Sequence, residues 1–178
     1  MPNVYIIGFR GTGFRDKRYF GEEALIRAGH VGISFEGNKD RILGFHPTQD
    51  AIAVIGDDEA VIERLKGHHS VDGALQDDTM IFQRAFELAE FGARTEVWQM
   101  AIASSNEEFE RIRIQALEWY QEQKIFSYAF PPDDKPPIES QDNCATFLRK
   151  LGLPLPEPTG KLLDFIPAIK ADGHEWQP

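Results

Sequence analysis

The chain contains a single cysteine in 178 residues. One thiol excludes an intramolecular disulfide and any zinc or iron–sulfur site built from several cysteines, and it fits a reducing compartment. Positive charge is also scarce: 19 Lys and Arg stand against 29 Asp and Glu, for a net charge of −10. That balance argues against a polyanionic partner, so neither nucleic acid nor an anionic membrane surface is expected. Long apolar runs are missing too. None approaches the roughly 20 residues of a membrane-spanning helix, and no basic segment followed by an apolar core opens the chain as a signal peptide would. The expectation is a protein that is cytoplasmic as synthesised, with delivery by a specialised secretion system left open. There are no internal repeats, low-complexity blocks or dividing linkers. With 42% hydrophobic and 27% charged residues, residues 1–178 read as one ordinary globular domain with a real core.

What is present centres on the stretch Gln141–Gly152, which carries that cysteine. It reads as a short helix, with Asp142 or Asn143 as the N-cap and Gly152 as the terminator. Cys144, Phe147, Leu148 and Leu151 recur at helical spacing and share one face. Two readings of Cys144 follow. It is a small apolar residue on a core-facing stripe, or a thiol whose thiolate is stabilised by the unpaired N–H groups of a helix start.

Along the rest of the chain, Val4–Phe9 is apolar throughout and reads as a strand buried on both faces. Gly8–Gly13 holds part of a glycine-rich phosphate loop but lacks the Lys-Ser/Thr that would complete it, so a turn is expected there. Glu22–Ala28 reads as a helical turn. His30–Glu36 and Arg41–His46, joined by Gly37-Asn-Lys-Asp40, form a hairpin. Antiparallel pairing then puts His30 and His46 at the same end of the ladder, where their rings can be neighbours.

The 50–96 stretch reads as largely helical. It holds a helix over Asp57–Lys66, a loop with His68 and His69, and a helix over Met80–Phe91 capped by Asp77-Asp78-Thr79. The paired histidines have no third ligand of suitable spacing, so no metal is expected. Val97–Ala103 follows as a strand, and Ser105–Glu108 is a capping box opening a helix to about Gln123. Ile125–Phe130 is extended, Pro131–Ser140 is irregular, and Lys161–Ile169 adds a turn or a covering strand.

Thiol-dependent acyl transfer needs a nucleophile, an imidazole that moves its proton and a polar group that orients the ring. N–H groups at the helix start, Cys144's own included, are candidates to receive the oxyanion. Ala28-Gly-His30-Val-Gly-Ile-Ser-Phe, Ile42-Leu-Gly-Phe-His46-Pro and Asp142-Asn-Cys144-Ala-Thr-Phe147 together resemble the circularly permuted papain-like group, related to the NlpC/P60 peptidases and the lecithin:retinol acyltransferase family. The likeness covers residues 4–49 and 97–152 in outline, rests on about a dozen positions, and implies that residues 50–96 are a helical insertion. It implies an α+β fold, an antiparallel sheet packed against helices, with the nucleophile at a helix N-terminus. It also implies Cys144 as nucleophile, His30 as general base and acid, and His46 as the group orienting His30, with no cofactor. Tyr128 and Gln141 are candidates to line the site.

The function this implies is a hydrolase that cleaves an amide through an acyl-enzyme on Cys144, with peptides or peptidoglycan stems as substrates and a delivered effector or toxin as one setting. Two alternatives stand beside it. One is acyl transfer to or from a lipid, which needs an apolar channel and usually a membrane anchor. The other is a papain-like module that only binds.

Overall fold

The computed structural model describes residues 2–9, 30–36, 41–55, 60, 64–65, 69–90, 97–129, 141–153 and 176–177. Among the described residues, eight strands form one sheet: β1 (Asn3–Phe9), β2 (His30–Ser34), β3 (Leu43–Pro47), β4 (Val71–Asp77), β5 (Val97–Ala103), β6 (Phe126–Tyr128), β7 (Gln141–Asp142) and β8 (Trp176–Gln177). Their order across the sheet is β7-β6-β4-β3-β2-β1-β5-β8. Every pairing is antiparallel except β6 with β7. The helices described are α1 (Gln49–Ile55), α2 (Thr79–Glu90), α3 (Asn106–Gln121) and α4 (Cys144–Lys150). The fold is α+β, and no helix among the described residues is long and apolar enough to cross a membrane.

Strand periodicity sorts the core into two clusters. Side chains alternate between the faces of a strand, so Val4 and Ile6 of β1 join one cluster while Tyr5, Ile7 and Phe9 join the other. The first cluster lies under α3 and α4, with Val31, Ile33, Leu43 and Phe45 meeting Ile112, Ala116, Phe147 and Leu148. The second lies under α2, where Phe82 and Ala85 meet Ile7, Phe9 and Ile42. Covering both faces explains why β1 is apolar without interruption.

Local signals fix the helix ends. Ser105 caps α3 in a reciprocal capping box with Glu108, which satisfies two otherwise orphaned donors. Asn143, the cap of α4, accepts from the N–H groups of Ala145 and Thr146 at 2.9 and 3.0 Å. Gly152, with φ of +86°, follows the α4 C-cap Leu151, a backbone conformation that glycine adopts without a Cβ penalty.

The 50–96 stretch departs from its expected reading as a helical insertion. It supplies β4, which sits inside the sheet between β3 and β6, and α1, which the sequence patterns did not announce. Val71-Asp-Gly-Ala-Leu-Gln-Asp77 is poor in β-branched and aromatic residues. It is held as a strand by pairing on both edges and by burial of Val71, Ala74 and Leu75, an override of propensity by tertiary context. The glycine-rich turn at 10–13, the helical turn at 22–28, the hairpin loop at 37–40, His68, most of 57–66, the 131–140 segment and the 161–169 tail lie outside the described residues.

Candidate active site

His30 opens β2 and His46 lies near the end of β3. The two strands pair with Gly32 opposite Gly44 and Ile33 opposite Leu43; carried two residues further, that register sets His30 across from His46. Their ring centroids are 6.0 Å apart, edge to face. Hairpin pairing thus brings the two histidines to one end of the ladder, as expected.

The two rings do not orient each other directly. Between them stands a carboxylate that the sequence reading had placed elsewhere. Asp78 Oδ2 lies 2.7 Å from His30 Nε2, and Asp78 Oδ1 lies 2.7 Å from His46 Nε2. The group bonded to His30 is thus Asp78 rather than the expected His46, which is bonded to Asp78's other oxygen.

Asp78 was read as one of three capping residues ahead of α2, and the structure divides that work. Asp77 takes the capping bond, accepting from the N–H of Thr79 at 3.1 Å. Asp78 bonds through its backbone, donating to Ile42 O at 2.9 Å and accepting from Phe82 N at 3.0 Å, while its side chain turns inward. The signal available was the doubling itself, since one carboxylate suffices for a cap.

Room for this arrangement comes from Gly44. A Cβ at that position would overlap the Asp78 carboxylate and lie 2.5 Å from His30 Nε2. The walls are aromatic: Phe82 and Phe9 stand 5.7 and 6.3 Å from the His30 ring. His30 is fully buried and Asp78 is 1% exposed, so this is a dry polar pair.

Cys144 is the first residue of α4 and is 6% exposed. It is close enough to His30 to raise the basicity of the ring. With Nε2 committed to Asp78, Nδ1 is the remaining ring nitrogen, and it has no hydrogen-bond partner among the described residues. Burial by itself pushes the His30 pKa down; the hydrogen bond to Asp78 and the two effects of Cys144 overcome it and raise the value to about 10. Burial likewise works against ionised Asp78, yet the positive charge of His46 and the hydrogen bonds from both rings bring its pKa down to about 2. These shifts are what partnered charges in a low-dielectric pocket produce.

Tyr128, expected to line the site, is buried on β6 with its ring 5.3 Å from Phe45. Burial, then the negative charges of Cys144 and Asp78, push its phenol well above the usual range, which places it within electrostatic reach of both. Gln141 pairs with Ser127 through β7, and its side chain lies outside what is described. The helix-start N–H groups are mostly spoken for: Ala145 and Thr146 donate to the Asn143 side chain and Phe147 to its carbonyl. Of the N–H groups expected to receive an oxyanion, Cys144's own is the one these bonds leave over. His69 is exposed. No group of three or more His, Cys, Asp or Glu among the described residues is arranged to hold a metal ion.

Comparison of the chain with protein-family models, curated proteins and solved structures finds no match.

Proposed function

We propose that this protein is a cysteine-dependent hydrolase that cleaves an amide bond through an acyl-enzyme on Cys144, on a permuted papain-like fold. One observation carries the reading: His30 bonds Asp78 through Nε2, keeps Nδ1 without a hydrogen-bond partner among the described residues, and is made more basic by the nearby Cys144. A nucleophile, a proton-carrying ring and an orienting carboxylate in that relation are the parts that thiol acyl transfer requires. The chain order His30, Asp78, Cys144 supports the permuted arrangement.

The chemistry follows from those positions. The Cys144 thiolate attacks the carbonyl carbon, and the carbonyl electrons move onto oxygen, for which Cys144's own N–H is the candidate donor. The proton on His30 passes to the departing amine nitrogen, the C–N bond breaks and a thioester remains. Water then gives a proton back to His30 as it attacks the thioester carbon, and the C–S bond breaks to release the acid. Asp78 touches neither substrate nor sulfur; it holds His30 in one orientation and stabilises the ring when charged. The substrate class that fits is a peptide, with peptidoglycan stems included.

The test is turnover of peptide and peptidoglycan-stem amides by the wild type and two variants. Cys144→Ala and His30→Ala each abolish hydrolysis while circular dichroism and unfolding remain those of a folded protein. Undiminished hydrolysis in either folded variant refutes the assignment.

A further inference from the structure

The mechanism above leaves one ring of the cluster without a part. His46 is bonded to the carboxylate oxygen that His30 does not use. Its Nδ1 is 3.2 Å from the carbonyl oxygen of Pro47, and its Nε2 is 2.7 Å from Asp78 Oδ1. A carbonyl oxygen has no proton to give, and neither has an ionised carboxylate. Both contacts therefore require His46 to be the donor. Only an imidazole with protons on both nitrogens donates twice.

The surroundings of Asp78 point the same way. A carboxylate that is 1% exposed stays ionised only where cationic or strongly donating partners replace its water. His30 from β2 supplies one such partner at Oδ2 and His46 from β3 supplies the other at Oδ1. Among the described residues, the other titratable groups that act on this pair or are acted on by it, the Cys144 thiol and the Tyr128 phenol, are neutral or negative and cannot take that part. Removal of the second cation would leave one buried carboxylate balanced by a ring that must also exchange protons during turnover.

The geometry points to His46 as a doubly protonated positioning residue, whose charge keeps Asp78 ionised and whose Nε2–H fixes Oδ1 so that Oδ2 alone serves His30. Its value to catalysis rests on the hydrolase reading, whereas its protonation does not. His46 acts through Asp78 and through His30, and touches neither substrate nor sulfur.

The experiment is NMR of the full chain carrying nitrogen-15 histidine and carbon-13 aspartate, at pH 7 and in a pH series, for the wild type and His46→Gln. Glutamine keeps a donor for Oδ1 and removes the charge. The expected wild-type result is a directly bonded proton on both ring nitrogens of His46. In His46→Gln the Asp78 carboxyl titration moves upward by about 1–3 pH units, the usual effect of losing a close opposite charge. A bare ring nitrogen on His46 in the wild type overturns the proposal, as does an unmoved Asp78 titration in the folded variant. If His46→Gln does not fold, the wild-type spectrum alone decides. A doubly protonated His46 beside a Cys144 that never acylates would sink the hydrolase reading and leave this inference standing.

Discussion

His30 and Asp78, 48 residues apart in the chain, meet at 2.7 Å through Nε2 and Oδ2 with neither side chain open to solvent. Nothing local holds them together. The contact exists because β2 and β4 flank β3 in the sheet, and because the residue of β3 that passes beneath them is a glycine. Asp78→Asn tests it. An amide offers a donor where both rings need an acceptor, so His30 loses its orientation and charge support. Turnover should fall by roughly 10⁴, the scale seen when an orienting carboxylate is neutralised. Unfolding free energy should fall by roughly 3–5 kcal/mol, as for other broken buried charge pairs. Kinetics and urea denaturation read the two effects separately.

Gly44→Ala is the sharper structural test. The added methyl group occupies the space of the Asp78 carboxylate, so the carboxylate must leave or the strands must part. The expected cost is about 1–3 kcal/mol of stability, typical of overpacking, together with loss of Cys144 acylation. An active, fully stable Gly44→Ala protein would mean that Asp78 lies elsewhere.

The charged cluster makes stability depend on pH in two windows. His30 binds its proton more tightly folded than unfolded, with a pKa of about 10 against an ordinary 6.5. Its contribution is fully present below pH 6.5 and is lost as pH rises towards about 10. Asp78 is shifted the opposite way, from 3.8 to about 2, so its contribution is present above pH 3.8 and is lost as pH falls towards about 2. Urea midpoints across a pH series should form a plateau between these windows and decline on each side. Asp78→Asn should flatten both limbs. An unchanged midpoint from pH 6.5 to 10 would contradict the His30 assignment.

Packing beneath the cysteine helix gives a control that leaves the charged groups alone. Phe147 stacks on Phe45 with centroids 4.0 Å apart and nearly parallel planes, while Trp119 and Phe126 meet it edge-on. Phe147→Ala should cost about 3–5 kcal/mol, the usual range for a buried phenylalanine. Protein that remains folded should keep the His30 and Asp78 titrations. Differential scanning calorimetry and the histidine NMR signals check the two parts.

What the sequence made legible followed local rules. The apolar run of β1, the capping box at Ser105, the placement of Cys144 at a helix start and the shared end of the His30–His46 ladder all depend on periodicity or on near neighbours. Asp78 escaped because Asp77 beside it does the work that two adjacent acids before a helix announce. Which of the two turns inward is decided by Gly44, a residue from another strand. β4 escaped for a related reason: its residues have weak strand preferences, and its neighbours in the sheet supply what its own sequence lacks. The candidate site was thus legible only as a thiol and two imidazoles, while the carboxylate joining the imidazoles depended on tertiary contacts.

The central claim is that His30 makes Cys144 a nucleophile, and the most direct measurement is acylation by a reactive acyl probe followed by mass spectrometry. Because the chain has one cysteine, any thioester formed reports on that position alone. The account predicts one acyl group on Cys144 of the folded wild type and a rate at least about 10²-fold lower in folded His30→Gln, the range for losing a general acid–base group. Equal rates in the two proteins, or a wild-type thiol that acylates only after unfolding, would contradict it.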